Sequence, residues 1–271
     1  MKAMITAALL MVASVASAQA QQQPAAPAAP GPAPAARDLG LRVEIEPAAL
    51  ALIKAMSERL AAAKTMSFTA LATYESLART GEPLAYTTLS RVTLQRPDKL
   101  RVLTLGDGPA TEFYYDGKTA KAYEPAVNLV AVADAPPTID AMLLAAYQHA
   151  AIYFPFTDVI VVDPLQDLMK GLQIAFVVGK SRVVGGVATD VVALANQSAH
   201  IQIWIGSDDK LPRMMRATFM GDPARFRHAV EFSDWKLDAT IPADAFSSAA
   251  LTAAKQIEFK RPDAQAAKAG K

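Results

Sequence analysis

Three histidines, one Gly-Lys-Ser triplet and one pair of aspartates are the residues here whose type and spacing could do chemistry. Gly179-Lys180-Ser181 has the ending of a phosphate-binding loop, but Ile174 stands where that loop needs its first glycine, so a strand-end turn is expected instead. His149, His200 and His228 are far apart, and none belongs to an H-E-x-x-H or other ligand-spaced cluster; no metal site is expected. His228 and Glu231 would pair on a helix, whereas on a strand their separation points them to opposite faces. Asp208-Asp209, between Gly206 and Lys210, reads as a hairpin cap rather than a cation site. Asn196-Gln197-Ser198 fits a glycosylation sequon, which carries little weight if the source is bacterial. There is no G-x-S-x-G elbow to present a serine nucleophile, and cysteine is absent, which excludes thiol catalysis and Cys-based metal sites. An enzyme would have to gather Asp158, Asp163 and either His149 or His200 in one cleft. No catalytic residue and no cofactor is expected.

The positive signal is apolar. Phe113 and Tyr115 share one face of their strand, as do Ile201, Ile203 and Ile205, and Phe176, Met215 and Phe219 are expected with them on the inner wall of a curved sheet. Met142, Leu143, Tyr147, Ile152, Phe154 and Phe156 fall in an insertion placed to cover that wall. Singly, each reads as core. Together they describe a curved sheet closed by an apolar helical lid, which encloses a lipid-sized cavity. Met142, Met214, Met215 and Met220 suit a pocket that adapts to different acyl chains. Which face each strand residue takes depends on register, because a slip of one residue reverses it.

The elements that must position these residues follow from periodicity. Glu46-Pro47 opens a helix running through Lys64, with Leu50, Ile53, Met56 or Ser57, and Leu60 at helical spacing. From Met66 the period becomes two. Strands follow on either side of Thr80-Gly81-Glu82-Pro83, then over 99–105, 112–115 and 119–124, the last two joined by Asp116-Gly117, a strong hairpin signal. Asp134-Ala135-Pro136-Pro137 starts a helical middle, in which Ile139, Met142, Leu143, Ala146 and Tyr147 form one face and Asp163-Pro164 opens a short helix. Strands resume at 174–178, 183–184, 187–194, 200–205, 213–220 and 225–237. The fold class is therefore α+β: a strongly curved antiparallel sheet of about ten strands, an open half-barrel with helices covering its concave side. A doubly wound sheet is disfavoured because strands follow strands directly.

Lys2, an apolar run from Ala3 to Ala16, and an Ala-x-Ala site ending at Ala18 or Ala20 give residues 1–20 the order of a cleavable secretory signal. That run is too short for a transmembrane anchor. With no cysteine there is no lipobox, so a soluble, monomeric periplasmic product that does not span the membrane is expected. Residues 21–40, rich in Ala and Pro, read as a disordered linker, 41–260 as a single domain and 261–271 as a disordered tail. Lys and Arg number 27 against 26 Asp and Glu, which leaves no charge surplus for nucleic acid.

The ordered pieces Arg96-Pro97-Asp98-Lys99-Leu100-Arg101, Tyr115-Asp116-Gly117-Lys118-Thr119, Ala135-Pro136-Pro137-Thr138-Ile139-Asp140, Val184-Gly185-Gly186-Val187, Gln202-Ile203-Trp204-Ile205, Leu211-Pro212-Arg213 and Trp235 resemble the bacterial "domain of unknown function 2092" family over roughly 50–257. The chain departs from that pattern at Thr189-Asp190-Val191-Val192-Ala193-Leu194 and at Ala199-His200. The resemblance implies a fold similar to the periplasmic lipoprotein carrier LolA. Two functions are expected from it and from the apolar set. One is a non-enzymatic carrier of a lipid, a lipoprotein acyl chain or another apolar ligand. The other is an envelope protein-interaction module that uses the same half-barrel without a cavity.

Overall fold

Two antiparallel meanders meet edge to edge in a computed structural model that describes residues 45–259. The signal peptide expected over 1–20, the linker over 21–40 and the tail over 261–271 lie outside the described residues. The first meander comprises β1 (Thr65–Leu77), β2 (Pro83–Gln95), β3 (Lys99–Gly106), β4 (Thr111–Tyr115), β5 (Thr119–Glu124) and β6 (Leu129–Asp134). The second comprises β7 (Leu172–Ser181), β8 (Thr189–Asn196), β9 (Ala199–Gly206), β10 (Pro212–Phe219) and β11 (Arg227–Leu237). Pairing of β1 with β11 fuses them into one open sheet, to which β12 (Lys255–Ile257) adds a short parallel strand beside β6. The sheet has twelve strands where about ten were expected. β6 and β12 are the additions, while Val184–Gly186 is a tight turn rather than a strand, since Gly185 and Gly186 both take positive φ.

Helices α1 (Pro47–Ala62), α2 (Ile139–Ala150), α3 (Thr157–Ile160) and α4 (Pro164–Met169) supply the cover, and α5 (Ala250–Ala253) precedes β12. α1 buries Ala49, Ile53, Met56, Ser57 and Leu60, a stripe of helical period. Its start is tied to the β7 edge: Glu46 N donates to Ala175 O at 2.8 Å, and the Glu46 carboxylate accepts from Val177 N at 2.9 Å. That edge is thereby covered by chain of the same molecule. α2 starts as its sequence predicts, with Thr138 accepting from Ala141 N, and ends at Ala151 in the left-handed conformation. This abrupt stop turns the chain into 152–156, which crosses the concave side. One hydrophobic cluster joins α1, α2 and α3 to the concave face of both meanders.

Candidate functional site

Register explains both the core and the space beside it. Cross-strand neighbours on one face of a sheet pack as rows, and on the concave face the rows differ sharply in bulk. Phe68, Val92, Val102 and Phe113 are directly opposite one another across β1 to β4 and form a filled row. The next row is Ala70, Ser90, Thr104 and Thr111, and the next Ala72, Thr88 and Gly106. Beyond these Tyr74 faces Tyr86 on one side and His228 on the other. The small rows leave room between a packed row and an aromatic one. A cavity of about 510 Å³ lies there, walled by Ala72, Ser90, Thr104, Met215, Val230 and their neighbours and roofed by 151–155.

A second cavity of about 740 Å³ lies on the other side of the same roof, against α2 and α4. The two share Ile152, Tyr153, Phe154 and Phe219. Both volumes fall within the range of small-molecule sites, about 300–1,000 Å³. Ring contacts anchor the roof: Phe154 meets Phe113 edge-on at 5.2 Å and stacks on Phe156 at 5.5 Å, and Phe156 meets Phe68 edge-on at 5.7 Å. At the mouth Tyr74 stacks on Tyr86 at 5.7 Å, and Phe219 meets His228 edge-on at 5.1 Å. Tyr74 and Phe219 remain about 40 % exposed, an apolar threshold to the cavity.

The residues singled out from the sequence fall into three places. Phe154, Met215 and Phe219 line the first cavity, and Leu143, Tyr147, Phe154 and Phe219 line the second. Phe113, Tyr115, Met142, Phe156 and Ile203 are buried in the packed core. Phe176 lies on the opposite face: its neighbours across the strands are Ala193, then Gln202, then Arg216, whereas the concave face is reached by Val177 through Val192 and Ile203. It lines a shallow groove of about 410 Å³ there. Sequence reasoning missed Ala70, Ala72, Thr88, Ser90, Thr104 and Thr111, whose smallness makes the room.

Asp209 caps the β9–β10 turn, accepting from Leu211 N at 3.1 Å and from the Arg213 guanidinium, and a Cβ on Gly206 beneath it would lie 2.2 Å from Asp209 Oδ1 and displace the cap. Lys180 pairs with Asp190 at 3.6 Å across β7 and β8. Asp163 caps α4 by accepting from Gln166 N. His149 and His200 are exposed, and among the described residues no group of three or more His, Asp or Glu is placed to hold a metal. His228 alone of the histidines lines the concave cavity, and Glu231 points to the other face.

A family described as "Predicted periplasmic protein (DUF2092)" matches residues 49–260. The chain belongs to this family. Among solved structures, LprF from Mycobacterium bovis is similar at 17 % identity and TM-score 0.46, over 73 % of this chain and 97 % of that one. A LolA superfamily protein from Nitrosomonas europaea is similar at 9 % identity and TM-score 0.34, over 74 % and 97 %. MucB, in the Pseudomonas aeruginosa MucA/MucB complex, is similar at 19 % identity and TM-score 0.40 over 75 % of this chain, which spans 62 % of MucB. At such identities and scores these likenesses carry no statement about a ligand. None of the curated proteins matches. No helix among the described residues is long and apolar enough to cross a membrane.

Arg96-Pro97-Asp98, Gly117 and Trp235, within the residues that the family matches, build the frame around the cavity. Arg96 donates from Nε to Ala63 O at 3.2 Å and from Nη2 to Val161 O at 3.0 Å, so one guanidinium joins the end of α1 to the end of α3. Burial presses its pKa below the ordinary arginine value, and the nearby Asp140 carboxylate opposes that shift. Pro97 O accepts from Ile139 N at 2.9 Å, fixing the start of α2. Asp98 packs against Gly117, where φ is +92° and an added Cβ would lie 2.6 Å from Asp98 Oδ2. Trp235 donates from Nε1 to Pro212 O at 3.0 Å and lies 4.4 Å from the Phe68 ring. Arg96, Pro97, Asp98, Gly117 and Trp235 thus hold elements together.

Proposed function

We propose that this DUF2092 protein is an exported, periplasmic, non-enzymatic binding protein that holds an apolar ligand, a lipid or the acyl part of a lipoprotein, under the 151–156 segment. The observation that carries the reading is the pair of cavities sharing one roof, above a sheet face whose bulk drops to alanine, serine and threonine over two rows. A packed interior leaves few voids larger than a water molecule, so open space of this size on the face that elsewhere holds the core supports a ligand site there. The signal expected over 1–20 and the periplasmic description of the family support the compartment. Native mass spectrometry of the protein purified from its own periplasm, followed by solvent extraction, tests this. A discrete adduct of lipid mass is expected. A clean mass with no uptake of added lipid would overturn the carrier and favour a protein-interaction module.

A further inference from the structure

Hydroxyl groups and charge in the concave cavity say what kind of polar end its ligand carries; this inference rests on the cavity being a ligand site, as proposed above. Ser90, Thr104 and Thr111 stand directly beside one another on β2, β3 and β4. Ser90 is 3 % exposed, and its Oγ lies 3.0 Å from Thr104 Oγ1. Each hydroxyl has a single proton, and this contact uses one of the two. Both hydroxyls line the cavity, and the proton that this contact leaves over can turn toward a ligand's acceptor. The row therefore presents a hydrogen-bond donor to the cavity.

Charge points the same way. The Asp158 carboxylate and the His228 ring line this cavity, Asp140 and Asp163 line the adjoining one, and no lysine or arginine side chain lines either. An anionic head group brought inside would lose hydration and meet carboxylates, where Coulomb repulsion is screened less than in water. An uncharged group with carbonyl oxygens would meet donors instead.

We propose that the cavity selects amphiphiles with an uncharged, acceptor-bearing polar end, such as an acyl ester of a polyol, and excludes free fatty acids and other anionic head groups. The Ser90–Thr104 pair donates to the ester carbonyl, and the wall of Ala72, Met215 and Val230 takes the chain. Calorimetric titration of the delipidated protein at pH 8, where an ordinary imidazole is neutral, compares monolaurin with laurate, each below its micelle-forming concentration. Monolaurin is expected to bind at least about tenfold more tightly than laurate. Thr104→Val, with folding checked by its thermal melt, is expected to weaken monolaurin about fivefold and leave laurate unchanged. Laurate binding as tightly as monolaurin would overturn the selectivity while leaving the carrier reading intact. Binding of neither would remove the carrier reading and this inference with it. The wild-type comparison decides the matter even if the variant fails to fold.

Discussion

Tyr115 is wholly buried at the end of β4, and its hydroxyl donates to Pro136 O just before α2. Burial, reinforced by the Asp98 and Asp116 carboxylates, pushes its phenol from the ordinary 10.0 up to about 12. The folded state thus holds this proton more tightly than the unfolded chain does. Its contribution is complete below pH 10 and is lost as pH rises toward 12. The denaturation midpoint should fall over that window, and Tyr115→Phe should flatten the fall while costing about 1–3 kcal/mol near neutral pH, since Pro136 O loses its donor. Gly117→Ala should cost a similar ~1–3 kcal/mol in chemical denaturation, because both its positive φ and the Asp98 carboxylate oppose a side chain. At this scale the sequence displays bulk but not emptiness. Phe113, Met142, Phe156 and Ile203 stand out as large apolar residues and fill the core, while Ala72, Ser90 and Thr104 attract no notice and define the space. Only register, which places Ala70 beside Ser90 and Ser90 beside Thr104, turns smallness into a cavity.

A buried guanidinium that joins two helix ends makes a single junction matter. Arg96 satisfies the carbonyls of Ala63 and Val161, and its Nη1 is buried with no hydrogen-bond partner among the described residues. Arg96→Met keeps the aliphatic stem but abandons both carbonyls. It should destabilise by about 1.5–3 kcal/mol, because hydrogen bonds to a charged donor are lost, and limited proteolysis should then cut within 151–163 sooner than in the wild type. If cleavage moved elsewhere, the junction would not be what holds the roof. Hairpins were legible wherever a turn had its own chemistry, as at Asp116-Gly117, where Asp116 accepts from Lys118 N and Thr119 N. β6 was not, because Leu129–Asp134 is short and its small residues blur the alternation. β12 was not either, since three residues joined in parallel to a strand far away in sequence leave no local pattern. Face assignment failed to be legible for Phe176, where β7 carries irregular register at both ends.

On the scale of the whole molecule, the half-barrel divides its concave side by strand position: large side chains and α1 fill one end, and small side chains under 151–156 leave the other open. The broad pattern, strands without intervening helices and one helical insertion, was legible from periodicity and turn residues. The pairing of β1 with β11, which brings Tyr74 beside His228 and closes the mouth with aromatics, joins residues too distant in sequence for periodicity to reveal. The space above Ala72 is where the proposed ligand sits. Ala72→Phe places a ring in that space, and a side chain entering a real cavity is tolerated where overpacking a filled core costs about 1–3 kcal/mol. The decisive measurement is uptake of a fluorescent acyl probe by delipidated wild type and Ala72→Phe side by side, with the Tm of each. An unchanged or raised Tm with uptake abolished is expected. Uptake equal to the wild type in a folded Ala72→Phe protein would rule out a ligand at this place.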